Sequence, residues 1–144
     1  MNDTRLAVVG LLAAGVLLSG AGFSAWIWID APRLGIVILL ALLALAVLMQ
    51  CATWRRLARS PRAALAATLA SYLGAAVLYA PALVAAYFGV QARCGQDESL
   101  DGLLCSFEII VPVVFLGPGA CLFLAGMVSI AVLQRRRAQV SRPP

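Results

Sequence analysis

The chain has 144 residues, of which 63% are hydrophobic and 12% charged, with no His and a mean hydropathy of +0.98. A soluble domain of that length needs a polar skin that these residues cannot make, so the composition excludes an ordinary soluble enzyme and points to one membrane-embedded unit. The net charge of +5 comes entirely from arginine, and its placement reads as a topology signal rather than as a nucleic-acid surface.

Four apolar segments, 6–29, 34–54, 63–89 and 109–133, reach the length of about 20 residues that crosses a hydrocarbon core. They are continuous runs without alternation. Backbone groups in lipid must bond within their own segment, so helices are favoured over a barrel. The predicted architecture is all-α: a polytopic integral membrane protein with four transmembrane helices in one domain. A loop at 90–108 is then external, and a basic tail occupies 134–144. Nine of the eleven arginines (Arg5, Arg55, Arg56, Arg59, Arg62, Arg135, Arg136, Arg137 and Arg142) flank one side. Arg33 and Arg93 fall on the other, together with Asp30, Asp97, Glu98, Asp101 and Glu108. The positive-inside rule then makes both termini cytoplasmic, in a plasma or bacterial inner membrane. Arg55, Arg56, Arg59, Arg62, Arg135, Arg136 and Arg137 become cytoplasmic anchors against anionic headgroups.

Segment 6–29 ends on Trp26 and Trp28, rings suited to the headgroup level. It also reads as a signal peptide, with an apolar run to Leu18 and small residues at Ser19, Gly20 and Ala21. Against cleavage, Asp3 offsets Arg5 and the apolar run continues to the tryptophans. Gly15, Ser19 and Gly22 lie four and three residues apart, a face on which a neighbouring backbone can approach closely. Pro32 then marks a tight turn.

Segment 34–54 is nearly all Leu, Ile, Val and Ala, and between Gly35 and Thr53 it has no Gly, Ser or Thr. A helix so poor in small residues is expected to face lipid. Gln50 and Cys51 lie near its inner end, Trp54 reads as an interface marker, and Pro61 opens the next helix.

Segment 63–89 carries the small-residue stripe Ala66, Ala70 and Gly74. The hydroxyls of Ser71, Tyr72 and Tyr79 are expected to bond the preceding turn or a neighbouring helix, each worth about 0.6 kcal/mol. Pro81 is expected to bend the outer half.

In the loop that follows, Cys94 and Cys105 lie on the side where disulfides persist. Pairing them gives a structural bridge worth roughly 3 kcal/mol in the chain-entropy model. Leu100, Leu103 and Leu104 suggest a short amphipathic turn, and Asp97, Glu98 and Asp101 a solvated acidic loop.

Segment 109–133 carries Gly117, Cys121, Ala125 and Ser129 at spacings of four, a second face for helix packing. Gly117, Pro118 and Gly119 lie about 15 Å below its outer end, near the bilayer midplane, and are expected to kink or open the helix there. The tail beyond is expected to be disordered.

Opened helices place transported solutes at the midplane, which makes Gly117–Gly119 the place to suspect transport. Such sites recruit ionisable residues, and none lies well inside a segment. Small multidrug transporters resemble this chain in helix number, yet they rely on a Glu within the first helix, and no acidic residue lies between Leu6 and Ile29. The bacterial membrane oxidases that pass electrons from thiols to quinone are similar in layout, with a cysteine pair before the last helix. Their second pair, in the first external loop, has no counterpart at 28–33. Cys51 and Cys121 read as small apolar fillers, and four cysteines without His make no metal site.

The residues therefore point to a non-catalytic membrane protein without a cofactor: an accessory subunit, assembly factor or regulator. Its partners are the lipid bilayer and another membrane protein or a second copy of itself. The alternative is a small transporter or channel using the break at Gly117–Gly119, with membrane thiol redox behind it.

Overall fold

The described residues form four helices: α1 (Asp3–Ile27), α2 (Pro32–Ala58), α3 (Pro61–Cys94) and α4 (Leu100–Val140). The structure is a computed structural model that describes residues 2–27, 31–94 and 100–140. Trp28, Asp30, Asp97, Glu98 and Arg142 lie outside the described residues, as do the side chains of Trp26, Leu100, Asp101 and Leu103. Each of the four helices is long and apolar enough to cross a membrane.

Local chemistry explains where the helices turn. α2 and α3 both begin on a proline, whose missing N–H costs nothing in a first turn. Ahead of α3 the Ser60 hydroxyl accepts from the Ala63 amide at 3.2 Å, an N-cap. Arg59 ends α2 in the left-handed conformation at φ 60°, so the chain reverses within Arg59 and Ser60.

Two expected boundaries shift. α3 has 34 residues and α4 has 41, so at 1.5 Å per residue both outrun a hydrocarbon core of about 30 Å. The external loop expected over 90–108 is mostly helical, because α3 runs on to Cys94 and α4 starts again at Leu100. The tail expected to be disordered is helical to Val140, in keeping with the high helix propensity of Arg, Ala and Gln.

The helices form a ring in chain order. α1 packs on α2 and α4, and α3 packs on α4; α2 and α3 touch more sparsely, and α2 and α4 barely meet across the diagonal. The core lies toward the end that carries Arg55–Arg62 and Arg135–Arg137, here the arginine end, with Cys94 and Cys105 marking the opposite, disulfide end. It is built from Ala7, Leu11, Trp54, Leu57, Leu122 and Ile130, with alanines between. Apolar side chains cover the outside, with Val16 72%, Leu73 69% and Leu116 68% exposed, which suits contact with hydrocarbon and not with water.

α2 is not simply a lipid-facing helix. Ala46, Gln50, Trp54 and Leu57 recur at helical spacing and are buried, while Leu34, Ile36, Val37, Leu40 and Leu48 on other faces are exposed. In α3 the buried face is Ala64, Thr68, Ser71 and Ala75. Ala66 and Ala70, expected to pack, are exposed, while Gly74 of that stripe meets another helix, at Ala125. The helix turns its hydroxyls inward, and the alanine stripe lies off that face.

Glycine substitutions separate packed positions from open ones. A side chain at Gly126 would run into Leu11, whereas nothing lies near Gly20. Gly126→Leu is therefore expected to destabilise by about 1–3 kcal/mol through overpacking, while Gly20→Ala leaves the unfolding midpoint unchanged or raised; unfolding in mixed detergent micelles reads both.

Candidate functional site

The small-residue faces read from the sequence meet one another inside the chain. Gly15 lies on the α4 backbone at Gly119, and a methyl group placed at Gly119 would come within 2.9 Å of the Gly15 carbonyl oxygen and 2.8 Å of Ser19 Oγ. Further along, a methyl at Gly22 would lie 3.1 Å from the Val114 carbonyl oxygen. Phe23 and Phe115 continue the contact, with ring centroids 5.4 Å apart.

On the other flank of α4, the Ser129 hydroxyl donates to the Ala125 carbonyl at 3.2 Å, and the Ser71 hydroxyl has both Ser129 Oγ, at 2.9 Å, and the Ala67 carbonyl, at 2.8 Å, as acceptors for its one proton. Ala125 touches Gly74, with 3.2 Å to a methyl built there, and Cys121 packs partly buried against the core. Gly117 makes room for the Tyr79 ring, whose hydroxyl donates to the Val113 carbonyl at 3.1 Å. The expected opening at Gly117, Pro118 and Gly119 is absent, because α4 is continuous through Pro112 and Pro118. Tyr79 and Gly22 pack over that stretch and support it from both sides.

At the arginine end Trp54 is fully buried, and its indole N–H donates to the Ala7 carbonyl at 3.1 Å. An interface marker would keep its ring at the surface; this one joins α2 to α1. Arg137 pairs with Asp3 at 3.2 Å and donates to the Arg56 carbonyl, and the Gln134 amide donates to Thr4 at 3.0 Å. The first and last helices are thereby tied at one end. Arg55, Arg56, Arg59, Arg62, Arg135 and Arg136 stay exposed around that clasp.

At the opposite end Cys94 and Cys105 form a disulfide between the end of α3 and the start of α4, with Cα atoms 5.7 Å apart. Cys51 and Cys121 are free thiols. Among the described residues no three His, Cys, Asp or Glu side chains gather as a metal site would require.

Two features remain that could act on something else. An open apolar groove of about 440 Å³ runs between α1 and α4, with Gly15, Ser19, Gly119 and Ala120 among its lining and Val16 and Leu116 exposed beside them. Deeper in, Gln50, Thr68 and Ser71 are polar and fully buried. Sequence reasoning placed Gln50 only as a residue near a helix end and passed over Thr68; their spacing from the α2–α3 turn was the available signal.

Compared with known protein families, with characterised proteins and with solved structures, the chain matches none.

The thiols give a direct check. Alkylation of denatured, unreduced protein is expected to label two of the four cysteines, Cys51 and Cys121, and all four after reduction. Trp54→Phe keeps most of the buried ring but loses its donor, and is expected to lower stability by about 1 kcal/mol in the same detergent unfolding measurement.

Proposed function

We propose that the chain is a multi-pass protein of a cytoplasmic-type membrane, with its arginine end in the cytoplasm, that serves as a non-catalytic accessory subunit, assembly factor or regulator. Its partner is a transmembrane helix of a larger membrane protein, seated in the groove between α1 and α4. That groove is the observation that carries the reading.

Its exposed lining recurs every four residues, Leu12 and Val16 on α1 and Leu116 and Ala120 on α4, which is the spacing of a helix ridge. Helices in lipid associate by close packing and interhelical hydrogen bonds, and small residues between larger rims favour such an approach. Val16, Leu116 and Ala120 are exposed along the groove, so a further helix can pack against them. α4 is unbroken at Pro118, so this reading rests on the groove and not on an opened last helix.

The arginine belt supports the assigned orientation through the positive-inside rule. A tag fused after Pro144 is expected to be shielded from membrane-impermeant reagents in intact cells; labelling from outside would reverse the assignment.

Ala120 is exposed in the groove, so a bulky side chain there fills the proposed seat without entering the core. Ala120→Trp is expected to keep helicity and monomer stability while cutting recovery of the co-purifying membrane protein by at least about tenfold, the effect of losing 1.4 kcal/mol of docking. Undiminished recovery would remove the groove from consideration, and crosslinking only to a second copy would make the partner the chain itself.

A further inference from the structure

Gln50 is fully buried, and neither its amide nitrogen nor its carbonyl oxygen has a hydrogen-bond partner within the protein. The Tyr72 hydroxyl is likewise buried and unpartnered. Buried polar groups are almost always bonded, and a low local dielectric makes a dry one costly.

These groups share a level in the bundle. Gln50 lies eight residues before Ala58, where α2 ends, and Thr68 seven residues after Pro61, where α3 begins. The two helices run antiparallel from a tight turn, so the residues come to equal depth, with Ser71 and Tyr72 about one turn further on. Thr68 donates to the Ala64 carbonyl at 2.8 Å, which leaves lone pairs on its hydroxyl oxygen able to accept. Between α2 and α3 the packing is the sparsest of the four neighbouring pairs. One and two turns toward the arginine end, Trp54 and Leu57 are also buried.

We propose that Gln50, Thr68 and Tyr72 frame an internal hydration site between α2 and α3, in which bound water bridges the Gln50 amide to the two hydroxyls. The chemistry selects a neutral hydrogen-bonding occupant. The groups offer a donor, an acceptor and two hydroxyls but no charge, so an ion would enter without a counter-charge. A buried water with two to four such partners is the usual solution. The Gln50 amide satisfies its own donor and acceptor through that water and ties α2 to α3 where direct packing is thin.

Water-edited solid-state NMR tests this on the intact protein in bilayers carrying ¹⁵N-labelled glutamine. The Gln50 side-chain signal is expected to draw polarisation from water within about threefold of the rate for exposed Gln134; slower build-up, or none, would overturn the proposal and leave a direct bond from Gln50 to a neighbouring side chain. Gln50→Leu supplies a second reading. Replacing a dry, unpartnered amide by hydrocarbon raises the unfolding midpoint, whereas removing the anchor of a hydrated layer lowers it. A lowered midpoint is expected, and one at or above the wild-type value counts against the site.

Discussion

Two glycines set how closely α1 and α4 lie. In hydrocarbon the lipid tails are as apolar as the side chains, so helices are held by close packing and by polar contacts across the interface. At Gly15 and Gly119 the backbones themselves meet, and the missing side chain at Gly119 is what allows it, since a methyl there would press on the Gly15 carbonyl. That contact fixes the register of the pair along its length: Leu11 against Gly126 on one side, Gly22 beneath the Val114 carbonyl on the other. α4 also keys to α3 through Ser71 and Ser129, so it is the helix on which both neighbours are registered.

The two ends of the bundle are closed by different physics. At the arginine end a buried indole, a guanidinium clasp and the densest part of the core act together, joining α1, α2 and α4. Toward the other end α3 buries little after Ala75, and Val77, Leu78, Val84, Tyr87 and Phe88 are exposed until Cys94 is reached. There a covalent bond to Cys105 supplies the closure that packing does not. A disulfide acts by limiting the unfolded chain and needs no complementary surface, which suits a region that has little.

The number and kind of helices were legible because a run of about 20 apolar residues carries a signal no local detail can reverse. The α1 face at Gly15, Ser19 and Gly22 and the α4 residues Gly117, Ala125 and Ser129 were legible for a similar reason: spacing of three or four marks one side of a helix. Spacing does not say which of two stripes turns inward. In α3 the alanines Ala66 and Ala70 offered one stripe and Thr68 and Ser71 another, and the need to keep hydroxyls out of hydrocarbon favours the second. Trp54 illustrates a different ambiguity. Tryptophan beside arginines suits a headgroup belt and a buried anchor equally well in sequence, and only the Ala7 carbonyl within reach decides between them. The helical ends at Cys94, Leu100 and Val140 escaped notice because polar residues past a hydrophobic run say nothing about whether the backbone keeps turning.

Prolines inside a continuous helix bear on what kind of work this bundle can do. Pro118 removes the amide that would bond the Val114 carbonyl, and Pro112 does the same to Glu108. A carrier exploits such freed carbonyls by unwinding the helix around them, so that they coordinate a solute. Here the helix stays wound, Gly22 packs over the Val114 carbonyl, and the next carbonyl back, that of Val113, accepts from Tyr79. The weak point of α4 at Pro118 is thus covered by its own neighbours. With the interior committed to holding the helices together, the surface available for work is the exposed flank, and the α1–α4 groove on that flank is the seat we propose for a partner helix.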